Sequence, residues 1–214
     1  MPRVDRERDP DRSRSAILDA AEQLFAEQGY EASSLADVGL RAGVSRGTPG
    51  YFFGSKAELY RAVLERCFEE VRTAVRSGRE RTGSGSHAPE EILEGAVSDY
   101  FDFLAARPNF VRLIEREALS GGSLLAETVP PLSAGQEALA AIAAELGLDP
   151  SPSGEAAQLL LSIISLCWFP LVHARTVAGA VGVELGSADA LAQRKRHVVA
   201  LLTHGLRGLY AEQG

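Results

Sequence analysis

Apolar residues recur at intervals of three and four along most of the chain, and no stretch keeps the period-two alternation of a half-buried strand. Ile17, Ala20, Ala21, Leu24 and Phe25 make one apolar face of a helix over about 13–28, and Gly29 supplies its stop signal. Ser34 caps a short helix with Leu35, Val38 and Ala42 inward, and Asp37, three residues on, can reach back as in a capping box. Gly43 ends that helix and Ser45 caps another short one. Ser55 and Glu58 form a Ser-x-x-Glu box ahead of a long helix with Leu59, Val63, Cys67 or Phe68, and Val71 inward, ending near Ser77. Residues 79–88 read as a flexible linker.

Pro89 opens the next helix at its first position, with Ile92, Leu93, Val97, Tyr100, Phe101 and Leu104 as its apolar positions. Pro108 begins another, with Phe110, Val111, Leu113 and Ile114 inward and Gly121-Gly122 at its end. Pro130-Pro131 are expected to act as a break, before a helix over about 132–146. The helix over about 154–178 has no polar stripe between Leu159 and Val172, which predicts cover on every side. In the last helix, about 188–210, Leu191, Val198, Leu202, Gly205 and Leu209 make a coiled-coil-like seam, the expected dimer interface. His197 and His204 share one face of that helix and suit dimer packing better than a metal. The expectation is an all-α chain of about nine helices.

Two short helices joined by a Gly-containing turn form a helix-turn-helix, whose second helix fits a DNA major groove. The net charge of −7 speaks against nucleic acid only until it is divided. Residues 1–81 hold 14 basic and 14 acidic side chains, and the remainder holds 8 and 15, so the acidic excess lies in the back. Basic groups need only gather on one face to attract phosphate. The first 14 residues alternate Arg3, Arg6, Arg8, Arg12 and Arg14 with Asp5, Glu7, Asp9 and Asp11, and Pro2 and Pro10 oppose a helix there. A solvated tail fits this pattern, as does an arm following DNA into the minor groove.

Catalytic motifs are missing: there is no Gly-x-Ser-x-Gly elbow, no phosphate loop and no His-Glu-x-x-His. No catalytic residue, cofactor or metal is expected, and the chain does not read as an enzyme. Cys67 and Cys167 lie far apart, form no metal-spacing motif, and Cys167 falls in an apolar helix that disfavours a thiolate. The N-terminus has no apolar signal region, and the apolar run 159–172, interrupted by Ser162, Ser165 and Pro170, falls short of the ~20 residues that span a bilayer. A cytoplasmic setting without a membrane partner is expected.

Ile17-Leu-Asp-Ala-Ala-Glu-Gln-Leu-Phe-Ala-Glu-Gln-Gly-Tyr30, Ala42-Gly-Val-Ser-Arg-Gly-Thr48 and Tyr51-Phe-Phe-Gly-Ser-Lys-Ala-Glu-Leu59 together resemble the tetracycline-repressor (TetR/AcrR) family. The match covers about 12–65; residues 82–214 match only in layout. The resemblance implies a flexible arm at 1–11, a helix-turn-helix DNA-binding domain at 12–58, and a ligand-binding and dimerisation domain at 59–214. It further implies a homodimer on a palindromic double-stranded DNA operator, dimerised through its last two helices. Such a protein is most often a repressor, released by a small effector, here expected to be apolar.

On the family pattern Ser34 is the cap that touches a phosphate. Ser45, Arg46, Gly47 and Thr48 start the recognition helix, and Lys56 opens the fourth helix and meets the DNA backbone. Ser33, Arg41, Pro49, Gly50, Tyr51 and Phe52 complete the candidate DNA surface. Pro49-Gly50 replaces the family's usual Leu-Tyr, and Phe52 replaces a Tyr. Either Ser45 caps with Pro49 at the end of the first turn, or Thr48 caps with Pro49 at the first helical position. Tyr51 suits DNA contact or packing on the first helix. These departures also admit a helical ligand-binding or scaffold protein whose DNA unit has lost its function. In the back half Tyr100, Phe101, Leu104, Phe110, Arg112, Trp168, Phe169 and His173 are the pocket candidates, because ligand sites are mostly apolar with a few placed polar groups. Each apolar one also suits plain core.

Overall fold

The computed structural model describes residues 9–83, 88–121 and 129–211, with side chains at 9–80, 88–121 and 133–205. Most of the Arg-rich arm, the middle of the linker and Gly122 lie outside these residues. Nine α-helices and one π-helical turn make up the described chain, with no strand among them, as the periodicity predicts. They are α1 (Pro10–Gln28), α2 (Leu35–Arg41), α3 (Thr48–Phe53), α4 (Lys56–Gly83), α5 (Pro89–Ala106), α6 (Pro108–Leu119), α7 (Val129–Leu146), α8 (Glu155–Val172) and α9 (Ala188–Ala211), with the π turn Ala174–Ala178 between the last two.

Four boundaries differ from the sequence pattern, and proline explains three. Pro10 begins α1 instead of opposing it: Asp9 caps, its Oδ1 accepting from the Asp11 N–H at 3.1 Å, and the first helical position needs no N–H. Pro130-Pro131 fall in the first turn of α7 and open it, for the same reason. Pro170 lies inside α8, which ends at Val172 rather than near 178. The carbonyl of Leu166, deprived of the proline N–H, accepts from Arg194 of α9 at 3.4 Å. The fourth difference is α4, which continues past Ser77 to Gly83.

One helix, α4, runs through both ends of a single continuous core. Its first turns close over α1–α3 around Ile17, Ala21, Leu24, Phe25, Val38, Leu59, Tyr60 and Val63. The rings of Phe25 and Tyr30 each lie 5.1 Å from Tyr60. Further along, α4 packs on α5 and α7, and its Phe68 joins Phe103 of α5 and Trp168 of α8 around Phe110 of α6, at 5.5, 5.5 and 5.8 Å.

The seam assigned to dimerisation faces inward. Val198 is 0 % exposed, Leu202 is 6 % exposed and Leu191 packs on the same core, because α9 lays this stripe against α5 and α8. Gly205 is exposed, and the Leu209 side chain lies outside the described residues. Conversely, α8 is not covered on all sides: Leu161 is 58 % and Phe169 50 % exposed, and Leu201 of α9 is 50 % exposed. By length and composition α8 could cross a membrane, the one such helix among the described residues.

Candidate nucleic-acid interface and effector cavity

The turn at 42–47 is held by atoms the sequence named and by one it did not. Ser34 Oγ accepts from the Asp37 N–H at 3.2 Å and donates to Asp37 Oδ2 at 2.5 Å, so the carboxylate answers the cap hydroxyl rather than the backbone. Ser45 starts a turn, its carbonyl accepting from the Thr48 N–H at 3.0 Å and its hydroxyl lying 2.6 Å from Thr48 Oγ1. The α3 helix then begins at Thr48 with Pro49 in its first turn, where the missing N–H breaks nothing. Gly47 occupies the cap position with no side-chain cap bond, so neither Ser45 nor Thr48 caps α3. Gly39 of α2, unmarked by the sequence pattern, allows the turn to close: a Cβ there would lie 2.8 Å from the Ser45 carbonyl oxygen and 3.2 Å from Arg46 Cα.

The candidate DNA residues divide by exposure. Ser34, Arg41, Ser45, Arg46, Gly47 and Tyr51 are exposed, Tyr51 at 87 %, so Tyr51 does not pack on α1. Thr48, Gly50 and Phe52 are half-buried. Ser33 and Pro49 are buried and do not belong to a DNA surface; the Ser33 hydroxyl donates to the Gly29 carbonyl at 2.7 Å. Arg41 pairs with Glu27 at 2.7 Å. Arg46 has no intramolecular hydrogen bond or ion pair among the described residues.

Lys56 is engaged. Its Nζ donates to the carbonyls of Tyr30 at 2.9 Å and Ser33 at 3.1 Å and lies 4.2 Å from the Tyr30 ring centre. It braces the α1–α2 loop from beneath. The Ser55–Glu58 box is complete, Glu58 N–H to Ser55 Oγ at 3.1 Å and Ser55 N–H to Glu58 Oε2 at 2.8 Å, and these bonds hold the Glu58 carboxyl below its usual pKa. Leu40, 71 % exposed on α2, is an apolar surface residue that the sequence pattern does not single out.

A polar clasp joins this unit to the rest. Buried Glu22 of α1 accepts through Oε2 from Arg66 of α4 and from Arg107 at the α5–α6 corner, each at 2.9 Å, and Arg107 also binds Glu70. Arg116 of α6 donates to the last carbonyls of α1, Ala26 at 2.9 Å and Glu27 at 2.7 Å. The Tyr60 hydroxyl donates to Glu117 at 3.1 Å, and burial, then the Glu117 charge, raises its pKa.

Between α4, α5, α7 and α8 lies a cavity of about 240 Å³. Phe68, Val71, Val75, Leu93, Val97 and Ile163 form its apolar wall, and Arg72, Arg76, Arg79 and Tyr100 also line it. Tyr100 is thus the one sequence-named candidate that the cavity takes. Phe101, Leu104 and Phe110 are core, at 1, 1 and 2 % exposure. Arg112 is exposed on α6, the Trp168 indole donates to Glu115 at 3.2 Å, and Phe169 stacks on His173 at 4.4 Å, half exposed. Helical spacing separates inside from outside, but core and cavity are both inside. The arginines were readable in principle: 68, 71, 72, 75, 76 and 79 share one helix face.

A long helix ties an exposed helix-turn-helix to a helical domain with an apolar cavity, which defines a helix-turn-helix DNA-binding regulator. Residues 17–63 match the model of bacterial regulatory proteins of the tetR family, and 89–202 match the tetracyclin repressor-like C-terminal domain. The chain belongs to this TetR family; it is a transcriptional regulator and not an enzyme. It is 25% identical over 207 residues to the transcriptional repressor NicS of Pseudomonas putida, covering 92% of this chain and 93% of NicS. It is 35% identical over 104 residues to the activator FasR of Mycolicibacterium smegmatis, covering 49% of this chain and 46% of FasR, so with FasR it shares only about half that protein's length. The fold resembles that of FadR, a fatty acid degradation regulator from Bacillus halodurans, with a TM-score of 0.67 at 20% identity over 91% of this chain and 96% of that one.

Proposed function

We propose that the chain acts as a homodimeric repressor of a palindromic operator, released when a small effector enters the α4–α5–α7–α8 cavity. The observation that carries this is the continuity of α4. The same helix braces the α1–α2 loop through Lys56, joins the Glu22 clasp through Arg66, and lines the cavity from Phe68 to Arg79. A ligand that displaces α4 or α6 therefore carries α1–α3 with it. Two DNA units on a palindrome must stand ~34–36 Å apart, one helical turn, so a small tilt spoils their register. Repression, rather than activation, is the sign of NicS, the relative matched over nearly its whole length.

In this reading Arg46, Ser45, Gly47 and Tyr51 meet the groove and Ser34 faces a phosphate. The scaffold alternative loses one of its motives, since Pro49 lies in the first turn of α3 without interrupting it. A second copy would cover the exposed stripes of α8 (Leu161, Ser165, Phe169) and α9 (His197, Leu201, His204). Binding to a palindrome from the chain's own promoter region, read by fluorescence anisotropy across a salt series, tests the DNA mode. Arg46→Ala is expected to weaken binding by ~1–3 kcal/mol if it reads guanine, or to reduce the salt slope by about 1 if it meets phosphate. Unchanged affinity and slope would refute the assignment.

A further inference from the structure

We propose that the cavity takes a small amphipathic anion, its apolar body against the Phe68–Val75 and Leu93–Val97 walls and one carboxylate or phosphate head on Arg76. This rests on the cavity being the effector site proposed above. Arg72, Arg76 and Arg79 stand at i, i+4 and i+7 of α4, a single helix face, and all three line the cavity. The outer two are occupied. Arg72 Nε donates to Glu69 at 2.9 Å and its Nη1 to Ser133 at 3.2 Å, while Arg79 Nε donates to Glu145 at 2.8 Å. Arg76, between them, has no hydrogen bond or ion pair among the described residues.

The charge balance of the lining favours an anion. Arg72, Arg76 and Arg79 face two lining carboxylates, Glu137 and Glu145, and Glu145 is already taken by Arg79. Glu137 is exposed and does not pair with Arg76. Tyr100 adds a second donor with no hydrogen-bond partner among the described residues; burial raises its pKa, so the phenol keeps its proton and can donate. Filling the cavity with a wholly apolar molecule would take water from the Arg76 guanidinium and return nothing, whereas a carboxylate or phosphate replaces that water with charge-assisted, two-pronged hydrogen bonds. Arg76 is exposed, which puts the head at the mouth and the tail within. The volume, about 240 Å³, lies below the ~300–1,000 Å³ of drug-sized pockets, so the body is small.

Calorimetric titration of the full chain with octanoate, octyl phosphate, octanol and octylammonium tests this. At least one anion is expected to bind about tenfold or more tighter than octanol, and octylammonium weakest, as one charge-assisted contact provides. Whichever anion leads identifies the head group, and either order supports the proposal. Arg76→Gln should bring the anions to the level of octanol and leave octanol unchanged, with Arg76→Lys retaining part of the advantage. Equal binding of octanol and the anions, or an anion advantage that survives Arg76→Gln, overturns the proposal. So does tightest binding of octylammonium abolished by Glu137→Gln. Ala141→Trp and, as a second variant, Ala138→Phe fill the cavity, with melting curves to confirm folding. If no probe binds, or binding survives both fillings, the effector site itself is wrong. Octanol binding that the fillings remove, without an anion advantage, sinks the anion alone.

Discussion

Arg46 and Lys56 flank the same turn, and the difference between them is what each side chain already holds. Arg46 reaches into solvent with no partner among the described residues, whereas the Lys56 ammonium is committed to two loop carbonyls and a tyrosine face. Removing Lys56 strips those carbonyls of a charged donor, so Lys56→Ala is expected to lower unfolding stability by ~1–3 kcal/mol in denaturant titration. Arg46→Ala should leave it within about 0.5 kcal/mol. Equal effects would show that the brace carries no load. The thiols make a second residue-level prediction. Burial pushes Cys67 and Cys167 up to about 12, Glu22 adding to the rise at Cys67. A folded-state pKa above the unfolded value means stability is full below about 9 and falls as the unfolded thiols ionise, by ~1.4 kcal/mol per pH unit for each, until the folded thiols titrate near 12. Cys167→Ala should shallow that alkaline decline. The same burial predicts no alkylation of either thiol in the native protein at pH 8.

At the scale of elements, capping chemistry was legible and close approach was not. Ser34, Ser55 and Glu58 do what their spacing announces, because a cap needs only atoms within one turn of it. Gly39 and Gly78 look like ordinary helix-weakening glycines in the sequence. Each is where another backbone comes near: Gly39 meets the Ser45 carbonyl, and a Cβ on Gly78 would lie 2.4 Å from the Gly95 carbonyl oxygen of α5. Gly39→Ala is therefore expected to push α2 off the turn and lower operator affinity at least tenfold, with little change in probe binding at the cavity. Gly78→Ala should part α4 from α5 and alter probe binding first. Calorimetry and anisotropy on both variants check this; the reverse pattern would show that these contacts do not divide the two sites.

At the scale of the molecule, the last helix shows how period fails to specify direction. Leu191, Val198 and Leu202 form a regular seam, and a second chain would fit it, but α5 and α8 of the same protomer reach it first. The proposed dimer face is the neighbouring stripe with Leu201. Light scattering separates the two: Leu201→Glu should give a folded monomer. Leu202→Glu buries a charge and should destabilise the protomer by several kcal/mol, whatever its association state. The clasp is also a property of the whole. Glu22, Arg66 and Arg107 come from α1, α4 and the α5–α6 corner, too far apart in sequence for any pattern to join them.

What the sequence determined by itself was local: the helical period, most helix ends, the helix-turn-helix at Ser34–Phe53 and its membership of a family. These depend on residues within a few turns of one another, or on a string of residues at set spacing. The tertiary structure alone decided that Lys56 serves a loop, that Val198 and Leu202 belong to the protomer core, and that Tyr100 rather than Phe101 meets the cavity, which a row of arginines on α4 also lines. The physical reason is common to all three. An apolar or charged side chain states that it needs a partner, and only the packing of distant helices determines which partner arrives.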